Sequence, residues 1–455
     1  MSQSHRRKPW RIVSIRTWIN ISSAAFIAAL GFAGVTAKSA LGADDPIAPG
    51  TKITMQNWTQ FKQFMSDGMI KLFEGTYYWK MPADIEIDIG PNSNVPLPPT
   101  YLTATEQYGS QTKVVHLPDG RLNVSGYVAG LPFPDPQEPD KGYKMLVNAW
   151  YSYRPHLNVD MEALGNAVRN CTVDRFGNMA CENVDLVYRQ TGYNTDPGVA
   201  RWESDKVWYT EYLMVEKPEQ AKYTAEITLF YKDEQDFQDE YVFVPALRRS
   251  LRVSSTARCS QLLGTDFTQD DYQVSGFNGG IGQFNADYLG SRKIISLTGA
   301  FNYRAIGHNY PYELYQPLLF PKPAAGDWQV RNVDVLDVRR IPSARSGYCY
   351  GKRIMYLDTY YHTTHWQELY DANLKLWKIG QWATPDAARV PGVPGGLAPG
   401  LGGYAVVWDV QGDHMTMATS FNDNGDSYYV NGNVPKDYQN VTRYATPAGL
   451  SQIMQ

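Results

Sequence analysis

Between Tyr404 and Phe421 the chain alternates with a period of two. Tyr404, Val406, Trp408 and Val410 fall on one side, Ala405, Val407 and Asp409 on the other, and after Gly412-Asp413 the run Met415, Met417, Thr419, Phe421 returns. Period two puts successive side chains on opposite faces of a strand, whereas a helix repeats every ~3.6 residues, so this stretch reads as a β-hairpin with a two-residue turn. Ile227, Leu229 and Tyr231 alternate in the same way with Glu226, Thr228 and Phe230, and Asp371-Ala372-Asn373 separates the aromatic run 356–370 from Leu374–Trp377. Strands joined by turns this short are antiparallel neighbours. Several carry apolar residues on both faces, so one face is expected to meet helices and the other to enclose a cavity.

Helical periodicity is rarer. Met55, Trp58, Phe61, Phe64, Met65, Met69, Leu72 and Phe73 recur mainly at spacings of three and four, which predicts one amphipathic helix over 55–73, stopped by Gly75. Pro91, Pro96, Pro98 and Pro99 predict an extended, helix-free connection, and Leu131–Pro136 a second; proline cannot donate to a ladder, so both belong at an edge or over a surface. The Pro/Gly loop from Pro391 to Gly403 is expected to be the most mobile segment. No repeat, heptad or convincing linker divides the chain, which predicts one large β-rich domain over 44–455.

The first 43 residues read differently. Arg6, Arg7, Lys8, Arg11 and Arg16 precede an apolar stretch from Ile19 to Val35, followed by Ala40-Leu41-Gly42-Ala43, with no acid before Asp44. That order is a cleavable signal peptide over 1–43, and it predicts a periplasmic protein, in which outer-membrane association is also open. The alternative is a retained anchor, but Asn20, Ser22, Ser23 and Gly31 interrupt the ~20 apolar residues a span needs. Cleavage removes six basic residues and no acid, which takes the formal charge from −4 to −10. With no basic block, nucleic acid is excluded as a partner class. Aromatics at 13% and charged residues at 19% exclude a disordered chain.

Cys171, Cys181, Cys259 and Cys349 are an even set in an exported chain, which favours disulfides. Cys171 and Cys181 bracket a segment that reads as two short strands around a turn and would stand opposite one another; elimination leaves Cys259 with Cys349, among three formal pairings. No C-x-x-C spacing supports a metal or redox site.

Other motifs lead to little chemistry. No serine has glycine two places away on both sides, so the nucleophile elbow is missing. His362 and His365 lack the H-E-x-x-H spacing and would diverge on a strand. Asn422–Ser427 opens like a calcium loop but lacks the glycine at position six, with Asn433 where the bidentate glutamate belongs. Gly400–Ala405 matches a dinucleotide pattern as text but enters a strand from a loop, the wrong way round for a phosphate cradle. Asp270-Asp271 reads as a turn or cap. Arg248-Arg249 and Arg339-Arg340 each close a strand, and alternation turns one arginine of each pair inward, to a buried carboxylate or an anionic head group.

Tyr101–Tyr108, Gly126–Pro134, Val244–Arg249, Gly264–Thr268 with Asp270-Asp271, and Tyr370-Asp371 leading to Leu376–Lys378 resemble a bacterial family of unknown function, family 1329, whose fold is described as similar to that of periplasmic lipoprotein-sorting carriers. The resemblance covers nearly all of the chain after the signal peptide. It implies a mainly β fold with flanking helices: a large curved antiparallel sheet, an incomplete β-barrel capped by helices, whose apolar concavity holds acyl chains in the carriers. It also implies company with exporters of hydrophobic molecules and with outer-membrane proteins, and supplies no catalytic residue. The chain is larger than a minimal lipoprotein carrier, so its cargo need not be a lipoprotein.

The expectation is a periplasmic carrier or chaperone for a lipid, an acylated or a polycyclic molecule, passing it from an inner-membrane exporter towards the outer membrane. No enzyme signature, cofactor or metal site is expected. Trp58, Phe61, Tyr356, Trp377 and Trp408 are the candidate cargo-lining residues by size and position, with Arg248 and Arg339 as candidate head-group residues. One rival is a periplasmic hydrolase of lipid or glycan using His308, His362, Asp266 or Asp271. Another is a structural subunit of an envelope transport complex, marked by an exposed apolar patch and no cavity.

Overall fold

The computed structural model describes residues 45–253, 259, 261–271, 276–278, 280–299, 301, 314–345, 348–421 and 426–454. The expected signal peptide, most of the Asn422–Ser427 turn, and His308 lie outside them. Three helices of eight residues or more, α1 (Asp67–Glu74), α2 (Pro99–Tyr108) and α3 (Lys141–Trp150), precede the main strands. The strands are β1 (Val168–Asp174), β2 (Met179–Gln190), β3 (Val207–Lys217), β4 (Ala225–Tyr231), β5 (Asp239–Val244) and β6 (Arg249–Val253). They continue as β7 (Phe284–Ser296), β8 (Gln329–Arg340), β9 (Tyr350–Asp358), β10 (Thr364–Asp371), β11 (Leu376–Ala383), β12 (Tyr404–Asp409) and β13 (His414–Ser420).

Their order across the sheet is β6-β5-β4-β3-β2-β1-β13-β12-β11-β10-β9-β8-β7. Two antiparallel meanders, β1–β6 and β7–β13, are thus joined by their first and last strands, with Cys171 opposite Met417. β6 and β7 remain as the two ends of this path, and the chain between them forms a strap whose described parts are 259, 261–271, 276–278 and 280–283.

The strap shows how strongly the sheet curves. Gln269 donates to Glu226 on β4 at 2.6 Å, while Asp270 and Asp271 accept from Tyr348 and Tyr350 at the start of β9. β4 and β9 lie eight strand positions apart, which in a flat sheet is roughly 38 Å. Three consecutive residues span only about 10 Å of backbone, and even with the side chains on both sides extended they fall short of that distance. The sheet therefore wraps around the strap, as an incomplete barrel that does not close.

The convex face is the larger apolar core. Directly opposed residues share a face, and the rows through Trp408, Met415, Val406 and Met417 meet Met69, Leu72 and Phe73 of α1. Trp366 and Trp408, 6.3 Å apart, stack with Phe320 and Trp328. A large apolar side chain buried in this way contributes ~1.5–3 kcal/mol.

The predicted helix over 55–73 is two elements, a 3-10 segment Trp58–Phe64 and then α1. Ser66 breaks it: its backbone is extended and its side chain accepts from the Met69 amide, as an N-cap does. Gly75, at φ 65°, ends α1 as expected. The proline-rich connection is also shorter than expected, because Pro99 occupies the first turn of α2.

Cys171 and Cys181 stand opposite each other on β1 and β2 with sulfurs 2.02 Å apart, and Cys259 is joined to Cys349 at 2.20 Å, tethering the strap beside β9. Two such pairs suit an oxidising compartment. No described helix is long and apolar enough to cross a membrane.

Candidate functional site

Inside the concavity lies a cavity of about 110 Å³. Its floor follows from one row of the sheet, Trp382–Ala405–Ala418–Asn170, running across β11, β12, β13 and β1. Two adjacent methyl side chains between larger neighbours leave a depression. Val168, Leu186, Tyr188 and Glu211 form one wall, the strap residues Phe267 and Asp271 another, and Leu401–Gly403 with Tyr428 close the end. The volume is below the ~300–1,000 Å³ of drug-sized sites and near the ~150 Å³ known to hold benzene. It fits one ring or the end of a chain.

The polar atoms in this wall have distinct states. Asp160 accepts from the Ser420 hydroxyl, and burial pushes its carboxyl up to about 8, so at neutral pH it carries a proton. Asn158 is buried, and its Nδ2 has no hydrogen-bond partner among the described residues. Burial alone would raise the Asp271 carboxyl, but Arg353 at 2.9 Å and Lys378 at 3.7 Å hold it below the usual range. Arg154 is buried beside Tyr188 and Glu211 but does not line this cavity; its guanidinium lies 5.8 Å from the Trp208 and Tyr209 rings, and its nitrogens have no hydrogen-bond partner among the described residues. No lysine, arginine or histidine is among the described residues that line the cavity.

None of the seven candidates chosen from the sequence lines this cavity. Trp58, Phe61, Tyr356 and Trp408 belong to the convex core: Trp58 stacks on Phe73 at 5.3 Å, the Asp67 amide donates to the Tyr356 hydroxyl, and the Trp408 indole donates to the Leu318 carbonyl. Trp377 lies at an irregularity in the β10–β11 pairing and donates to Asp409 at 2.8 Å. Arg339 is held by Asp337 through two hydrogen bonds. Both Arg248 and Arg249 are exposed, which corrects the expectation of one inward arginine: Arg248, at φ 49°, is the left-handed residue of the β5–β6 turn, outside the alternation.

Of the described hydrolase candidates only Asp271 lines the cavity, and they form no shared site. Asp266 accepts from Thr416 and faces His414 at 3.2 Å, Asp271 belongs to the strap anchor, and His362 sits at φ 56° in the β9–β10 turn. His365 faces Asp358 at 2.9 Å instead of sharing a site with His362, and no metal-holding cluster occurs among the described residues.

Solved structures similar to this chain include the following three. An outer membrane lipoprotein-sorting protein domain from Vibrio parahaemolyticus is 13% identical, over 65% of this chain and 95% of that one, with a TM-score of 0.43. A DUF1329 family protein from Desulfovibrio piger is 10% identical over 68% and 100%, at 0.45. A LolA superfamily protein from Nitrosomonas europaea is 12% identical over 61% and 90%, at 0.35. No curated relative matches. The family model described as a protein of unknown function, DUF1329, matches residues 52–450, and the chain belongs to that family.

Proposed function

We propose that this protein is a periplasmic carrier that holds the apolar part of a lipophilic cargo in its concavity, between an inner-membrane exporter and the outer membrane. The observation that carries this reading is the cavity over the Ala405–Ala418 pair, on the face that the sheet curves around. Burial contributes ~0.8 kcal/mol per methylene, so four buried methylenes supply ~3 kcal/mol. A hold of that size permits handover to a better acceptor without nucleotide. The signal peptide expected over 1–43 and the disulfides fit the compartment.

Native mass spectrometry of protein taken from its own cell envelope, followed by solvent extraction, tests the proposal. The expected result is a lipophilic molecule released in stoichiometric amount. Protein that emerges empty and binds no acyl or polycyclic probe contradicts it.

A further inference from the structure

Resting on the carrier reading, we infer that the concave cavity selects an uncharged amphiphile, an apolar ring or chain ending in a hydroxyl group, over carboxylates and ammonium compounds of the same size. The wall presents three carboxyl groups, Asp160, Glu211 and Asp271, with no cationic side chain among its described lining residues. A carboxylate entering this space would meet carboxyl oxygens and lose its water without a compensating donor charge, a heavy cost in an apolar site.

The neighbouring cations do not reverse this. Arg353 and Lys378 are already bound to Asp271, and Arg154, whose guanidinium nitrogens have no hydrogen-bond partner among the described residues, lines a separate pocket with Tyr101 and Trp208. The same pairings argue against an ammonium ligand. Asp271 is already neutralised from behind and Glu211 stands by Arg154, so neither offers the full charge that would offset stripping an ammonium of water. Asp160, bonded to Ser420 and deep in the wall, is kept neutral by its burial. What the wall has to spare are two donors, the Asn158 amide nitrogen and the Tyr188 hydroxyl, among carboxyl groups able to accept. A hydroxyl both accepts and donates, without bringing a charge.

The volume sets the rest. Near the size of a benzene site, the cavity takes the polar end of a cargo with the carbons next to it, packed on Val168, Leu186, Phe267 and Trp382. The two alanines of the floor are the places where added side-chain volume would abolish that space.

The full chain is titrated at pH 7 with 1-octanol, octanoate and octylammonium, and binding is read by calorimetry and by Trp382-region fluorescence. The expected result is octanol binding at least tenfold more tightly than either ion. Ala418→Met and, separately, Ala405→Met should each weaken octanol tenfold or more, with thermal unfolding confirming that the variant is folded. Octanoate or octylammonium binding as tightly as octanol overturns the selectivity and leaves the carrier reading standing. Octanol affinity unchanged in a folded variant places the ligand elsewhere and also overturns the inference. Failure of all three ligands, with no cargo in the native extract, removes the carrier reading itself.

Discussion

Arg353 donates to Asp271 at 2.9 Å across the boundary between the sheet and the strap, with both side chains shut away from solvent. The Tyr350 hydroxyl and the Thr268 amide and hydroxyl also donate to the carboxylate, Lys378 lies 3.7 Å from it, and Arg353 also donates to the Gly276 carbonyl. Removing one partner of a buried pair leaves the other charge uncompensated, at a cost of ~3–5 kcal/mol. Arg353→Met should therefore lower the unfolding free energy by about that amount in urea. A loss below about 1 kcal/mol would show that this pair does not hold the strap.

Asp160 gives a pH signature. Its folded carboxyl titrates at about 8, against roughly 3.9 in an unfolded chain. Between those values the folded state binds the extra proton, so its stability falls as pH rises from about 4 to about 8 and is level beyond. Asp160→Asn has nothing to titrate there. Melting temperatures of parent and variant, taken at pH 5 and pH 9, should diverge in the variant's favour at pH 9; a constant gap refutes the shift.

The two disulfides close loops of different length, with separations of 10 and 90 residues. In the chain-entropy account the shorter is worth ~2–3 kcal/mol and the longer ~4–5 kcal/mol. Replacing Cys259 and Cys349 by serine should thus destabilise more than replacing Cys171 and Cys181, when both are compared by denaturant unfolding. The reverse order would reject the loop-length argument.

Gly142 tests the seat of α3. Glycine to alanine inside a helix ordinarily stabilises by about 0.5–1 kcal/mol. Here the new Cβ would fall 2.2 Å from the Ala286 carbonyl oxygen of β7. Gly142→Ala should consequently lower the melting temperature despite the better helix former, and a rise would mean that α3 can shift off the strand.

Period two made the strands legible, and in β12 and β13 it assigned the faces correctly. Register was harder. A two-residue turn at Gly412-Asp413 would set Ala405 opposite Ser420, whereas the observed four-residue connection sets it opposite Ala418. The cause is local: Asp409 Oδ1 accepts from the Gln411 and Gly412 amides and fixes the wider turn. A cavity was expected, but its lining was not legible, because it lies where side chains are small, whereas size singles out large rings. Trp382 and Phe267 do line it, but alternation alone does not distinguish them from the rings of the convex core. Ser66, a polar residue inside an apolar stripe, was the available signal for the broken helix. The β1–β13 pairing left no local trace, since periodicity tells a strand its faces and not its partner.

That pairing also sets a timetable. The sheet is continuous only once β13 lies against β1, with Cys171 opposite Met417. At ~5–20 residues per second of synthesis, the first strand precedes its partner by tens of seconds. Over that interval its outer row of amides and carbonyls is an unpaired template for other chains. A newborn copy of this protein therefore depends on being kept apart from its siblings until the last strand arrives, and a chain cut short before residue 414 loses the seam for good.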